Sequence, residues 1–164
     1  MLLPFKSKSA KILNDLSSKD VDIANKAKAM LFVHEFIQRD VNALFQALRK
    51  EYQDDNESSW STRSLMFNRL AEMNDLKTVD FVTEIYPKLP PNREILSSAL
   101  CAVVSFKSQE SMKIAFDLMS KYHKKVRINY PFIFKSVSQT PQMKKHIFGK
   151  LCEVSETIQE RLSL

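Results

Sequence analysis

Glycine is nearly missing from this chain of 164 residues: Gly149 stands alone, and no Asn-Gly or Asp-Gly pair occurs. The tight two-residue turns of β-hairpins therefore have almost no backbone chemistry to use. Glycine-rich phosphate cradles and nucleophile elbows are excluded for the same reason. Cysteine is scarce as well. Cys101 and Cys152 sit among apolar neighbours, the pattern of buried free thiols in a reducing compartment rather than of a disulfide framework. The longest uninterrupted apolar run is Ala99–Val104, far short of a bilayer span, so no transmembrane helix is expected. His34, His123 and His146 are never paired at helical spacing and have no cysteine placed as a co-ligand, which argues against zinc. Glu72, Asp75, Asp80 and Glu84 recur at helical intervals, and pairing with surface lysines accounts for them without acid–base chemistry. The chain reads as non-enzymatic, with no cofactor and no metal.

What is abundant points to helix. Lysine, leucine, glutamate, glutamine, alanine and methionine fill the windows between breaks, and 44% of the residues are hydrophobic, enough for one domain with a proper core. The predicted class is all-α with about 7–8 helices. A short helix is expected over Ser9–Leu16, ended by Ser17–Lys19, and Asp20 or Asp22 suits the next N-cap because a short side-chain oxygen accepts from the exposed first-turn amides. Another helix is expected after Asp40, with Val41, Leu44, Phe45 and Leu48 inward and Arg49 and Lys50 near its end. Residues 1–53 thus hold divergent N-terminal helices, and 54–60 read as a polar loop ending in Trp60, a packing anchor. Pro87, Pro90 and Pro91 close a helix sharply, whereas Pro131 and Pro141 sit where helices begin. From about Gln142 a last helix carries Met143, Ile147, Leu151, Val154, Ile158 and Leu162 on one stripe, a capping helix over 142–164 with a polar outer face.

Residues 61–152 suggest a recurring helix-turn-helix unit. Leu65, Met66, Phe67 and Leu70 precede a polar break at Asn74 and Asp75, followed by Val79, Val82 and Tyr86. Cys101, Ala102, Val103 and Phe106 precede a break at Lys107–Glu110, followed by Ala115, Leu118 and Met119. Ile133, Phe134 and Val137 precede a break at Gln139–Gln142, followed by Phe148 and Leu151. Aligning Val79, Ala115 and Phe148 gives separations of 36 and 33 residues. Two short amphipathic helices cannot cover their own apolar faces, so stacking on neighbouring units is the natural solution. The expected architecture is a right-handed, α-solenoid-like stack of antiparallel helical hairpins.

Charge is unevenly placed. The net charge is +6, yet Leu118–Cys152 contains no acid and eight cations, Lys121, Lys124, Lys125, Arg127, Lys135, Lys144, Lys145 and Lys150. Those eight exceed the whole net, so the remainder is net negative. Such a run attracts polyanions in a salt-dependent way, and the interleaved Tyr122, Tyr130, Phe132 and Phe134 supply the ring type on which single strands stack. On helical spacing these rings belong to a core more often than to a base platform. The partner is a single-stranded RNA or an acidic protein. The first residues, with Lys6, Lys8, Lys11 and no acid before Asp15, read as a frayed basic N-terminus, since a mitochondrial transit segment favours arginine.

The stretch from Leu100 to Asn129 resembles a pentatricopeptide repeat: an apolar first helix, a polar turn at Ser108–Ser111, a second helix containing Ile114, Ala115, Phe116, Asp117, Leu118 and Met119, and a closing Asn129, matched by Asn92 one unit earlier. The resemblance implies RNA binding in an organelle, typically the mitochondrion, in transcript stability, processing or translation. It also implies that Ser97 and Asn129 read one base together. Phe134 departs from the pattern where a polar selector should stand, and the usual turn glycine is absent. Lys121, Lys124 and Lys125 fall on the helix that in this family faces away from the RNA. An intracellular adaptor for an acidic protein, alone or as one part of a larger assembly, is the alternative that the same residues support.

Overall fold

The computed structural model describes residues 7–50, 57–122 and 149. Among the described residues there are seven α-helices and no strand: α1 (Lys8–Asp15), α2 (Val21–Val33), α3 (Val41–Arg49), α4 (Glu57–Met73), α5 (Lys77–Ile85), α6 (Arg93–Val104) and α7 (Gln109–Tyr122), with 3-10 turns at Gln38–Asp40 and Tyr86–Lys88. The chain is all-α.

Short polar side chains start several of these helices. Ser7 Oγ accepts from Ala10 N–H at 3.1 Å, Asp20 Oδ1 from Asp22 and Ile23 N–H at 3.0 and 3.2 Å, and Asn92 Oδ1 from Glu94 and Ile95 N–H at 2.9 and 3.0 Å. Each satisfies first-turn amides that have no partner inside the helix. The polar segment expected at 54–60 is shorter than its composition suggested. α4 already begins at Glu57, and Ser59 and Trp60 are helical, with Ser59 buried and Trp60 packed on the core. Serine is tolerated in a helix whose packing holds it there, and packing overrides its weak propensity. Of the helix expected over 142–164 only Gly149 is among the described residues, and it is helical.

α4 packs most extensively on α6 rather than on its immediate successor α5, and α6 also contacts α5 and α7. α6 is buried from Ile95 to Leu100 and again from Ala102 to Val104. Ser97, Ser98, Ala99 and Ala102 are small, and the distance between packed helix axes follows the side chains at the contact. α1 rests on α2 and α3, and α3 reaches α4 and α5. Phe45 stacks on Phe81 with ring centroids 4.0 Å apart, and Arg49 lies over the Phe81 ring while pairing with Glu84 at 2.8 Å. Both partners of that ion pair are half exposed, so the rings contribute more than the charges.

Two of the turns that follow helices share one backbone conformation at a fixed spacing. Asn74 follows α4 and Lys107 follows α6, each with a left-handed backbone, φ 51° and 52°, and they are 33 residues apart. The same offset pairs several buried positions, Met66 with Ala99, Phe67 with Leu100, Leu70 with Val103, Val82 with Ala115, Ile85 with Leu118, Tyr86 with Met119, and the hydroxyls Ser64 with Ser97 and Thr78 with Ser111, while buried Phe116 falls opposite exposed Thr83. At this offset Ala115 pairs with Val82, whereas the apolar pattern of the sequence pairs it with Val79. The two registers differ by three residues, close to one helical turn, which is why an apolar pattern alone did not separate them. A left-handed conformation costs an ordinary residue roughly 1–2 kcal/mol, and glycine avoids this at an entropic cost of roughly 0.5–1 kcal/mol. Lys107→Gly is therefore expected to raise stability by up to about 1 kcal/mol. Asn74→Gly should gain less, because asparagine tolerates this region. Urea denaturation of both variants checks the order.

Candidate nucleic-acid interface

Two of the ten residues singled out for RNA contact lie among the described residues. Lys121 is exposed in the last turn of α7, with its ammonium 5.5 Å from the Tyr122 ring centroid. A cation there suits the helix dipole, and the side chain stands at the entry to the acid-free run. Ser97 is on α6, only 4% exposed, and its Oγ has no hydrogen-bond partner among the described residues. A base reaches that hydroxyl only if the covering of α6 is removed. Lys124, Lys125, Arg127, Asn129, Lys135, Lys144, Lys145 and Lys150 lie outside the described residues.

Asn92, the counterpart of Asn129 one unit earlier, is engaged as the N-cap of α6 through both backbone contacts of its side-chain oxygen. A side chain committed to a cap is restricted in what else it can hold. Tyr122 is partly buried against the core and meets Tyr86 edge-on with centroids 6.0 Å apart, a core role as its helical spacing suggested. Phe132 and Phe134 lie outside the described residues.

His34 is half-buried and its Nε2 lies 2.9 Å from Ser9 Oγ, so its ring nitrogen is satisfied within the fold. The Ser9–Asp40 contact beyond it was not anticipated, because its partners are 31 residues apart and share no motif. No group of three or more histidine, cysteine or acidic side chains could hold a metal ion among the described residues, and no helix there is long and apolar enough to cross a membrane. Burial pushes the Cys101 thiol up from 9.0 to about 12. The thiolate is the reactive form, so iodoacetamide at about pH 8 should label Cys101 slowly in the folded protein and rapidly in urea, read by peptide mass. Because the folded pKa lies above the unfolded one, the stability this thiol contributes is complete below pH 9.0 and is lost as the pH rises towards about 12. Cys152 lies outside the described residues.

No protein-family model matches the chain, and no curated protein or solved structure matches it either.

Proposed function

We propose that the chain is a non-enzymatic RNA-binding protein built as a right-handed stack of helical hairpins, which contacts the backbone of a single strand through its basic run and acts in RNA stability, processing or translation. The observation that carries this reading is the charge distribution: eight cations without an acid between Leu118 and Cys152, in a chain whose remainder is net negative. The 33-residue recurrence supports the stacked-hairpin part, since repeated units of this kind form extended binding surfaces. The mitochondrion is the compartment that goes with the pentatricopeptide resemblance. Base reading at Ser97 is the weaker component, given the burial of its hydroxyl, and backbone contact is the stronger.

The test is binding of a labelled mixed-sequence single-stranded RNA between about 50 and 200 mM salt, with the wild type beside Lys124→Glu/Lys125→Glu/Arg127→Glu. Each phosphate that is no longer neutralised should reduce the salt slope by about 0.7 for a single strand, so the triple variant should show a slope shallower by about two as well as a weaker affinity. Binding that is absent at the higher salt, or unaffected by the triple variant, moves the assignment to an adaptor for an acidic protein. Exposed Phe32 and Val33, 65% and 77% accessible, give that second reading a protein-facing surface.

A further inference from the structure

The carboxyl ends of three helices meet at one end of the fold. Arg49, the last residue of α3, pairs with Glu84 in the last turn of α5, and Tyr86, which follows α5, meets Tyr122, the last residue of α7, with ring centroids 6.0 Å apart. The acid-free run begins at this end, with Lys121 as its first cation. A second lysine adjoins the same ring pair: Lys88 stands just after Tyr86 in the 3-10 turn, as Lys121 stands just before Tyr122. Lys88 and Lys121 are 33 residues apart, the offset that also separates Asn74 from Lys107.

Lys88 is exposed, and its turn is held. Pro87 fixes one backbone angle of the turn Tyr86–Lys88, and Leu89 N–H closes it on the Tyr86 carbonyl at 3.2 Å. Glu84 precedes Lys88 by four residues, the spacing at which a helix pairs opposite charges, but its carboxylate is taken by Arg49 at 2.8 Å. Asp117 has the same relation to Lys121, whose ammonium lies over the Tyr122 ring instead. Among the described residues neither lysine forms an ion pair. The helix ends beneath them present carbonyls, which carry partial negative charge. An anion at this end is therefore held by the side-chain cations alone.

We propose that Lys88 is a further RNA-binding residue, which extends the track of the basic run across the end of α5: Lys121 and Lys88 take neighbouring phosphates of one single strand on either side of the Tyr86–Tyr122 contact. This placement rests on the RNA reading of the run. It adds a cation that belongs to another helix and lies well outside Leu118–Cys152, so only the meeting of the two helix ends connects it with the others.

The test repeats the titration with labelled mixed-sequence single-stranded RNA on the full chain, with Lys88→Gln beside Lys77→Gln. Lys77 is an exposed lysine at the other end of α5, about 18 Å from Lys88 by helical rise. Both variants lose one charge, so an effect of net charge alone strikes them equally. One phosphate contact fewer makes the salt slope shallower by about 0.7, which corresponds to a loss of affinity of about eightfold at about 50 mM salt and about threefold at about 200 mM if the two proteins bind alike near about 1 M. Lys88→Gln should show this loss, and Lys77→Gln should match the wild type. Amine acylation of the wild type, read by peptide mass, is the second measurement: RNA should protect Lys88 and leave Lys77 modified. Equal losses in the two variants, or Lys88 acylated alike with and without RNA, overturn the Lys88 contact. So does a Lys88→Gln that binds as the wild type does while Lys124→Glu/Lys125→Glu/Arg127→Glu is impaired, an outcome that leaves the RNA reading standing. A wild type that binds no RNA overturns both.

Discussion

Phe67→Ala is expected to lower the stability of the chain by about 3–5 kcal/mol, a large share of the roughly 5–15 kcal/mol that holds most domains folded. Phe67 is fully buried on α4, between Met66 and Leu70, which are also fully buried. α4 is the principal partner of α6, and α6 is itself covered along almost its whole length. A ring removed from this seam leaves a void that two packed helices cannot close without loosening their packing on other sides, so both the transfer and the cavity cost are felt. Leu100, its counterpart 33 residues later, is equally buried, and Leu100→Ala should cost about 2–5 kcal/mol. Urea denaturation gives both values. If Phe67→Ala costs under about 1 kcal/mol, the α4–α6 seam is not the centre of the core.

Local signals were the ones legible in the sequence. Asp20, one of two candidate caps, the break at Asn74 and Asp75, and the inward set of Val41, Leu44, Phe45 and Leu48 all depend on chemistry within one helical turn, and the structure places them accordingly. The start of α4 and the exact repeat register were not legible in the same way. Ser59 reads as part of a solvated loop, yet it is buried on α4, as is Ser64, because packing decides the burial of a small side chain whatever its polarity. α6 shows the same difficulty at the candidate site. A helix buried all round has no polar face from which exposure can be read, so nothing in the spacing of Ser97 distinguished a groove-lining hydroxyl from one inside the core. The basic run, in contrast, is a property of composition and needs no fold to be seen. Asp40 shows the opposite limit: its neighbour Ser9 comes from a helix far away in sequence, and only folding brings the two together.

Arg69→Ala is expected to cost about 2–3 kcal/mol, more than an ordinary substitution of a solvent-accessible residue, because this side chain closes the end of another helix. From α4, Arg69 Nε donates to the carbonyl of Leu31 at 3.2 Å, Nη2 donates to the carbonyl of Phe32, and Nη1 donates to Glu72 at 2.6 Å. Leu31 and Phe32 belong to the last turn of α2, whose final carbonyls have no partner within the helix. A guanidinium there satisfies two of them and opposes the negative end of the dipole. The side chain is 17% exposed and Glu72 is 61% exposed, and of the three contacts the one to the Leu31 carbonyl is partly buried while the Phe32 contact and the ion pair face solvent. Glu72→Gln should therefore change stability by no more than about 0.5 kcal/mol. Arg69→Lys should recover only part of the loss, since one ammonium does not reproduce the planar fork that spans successive carbonyls. Thermal unfolding ranks the three variants, and hydrogen exchange at the end of α2 should rise in Arg69→Ala before exchange in α6 does. Equal losses for Arg69→Ala and Glu72→Gln would show that the ion pair, and not the helix closure, is what Arg69 contributes.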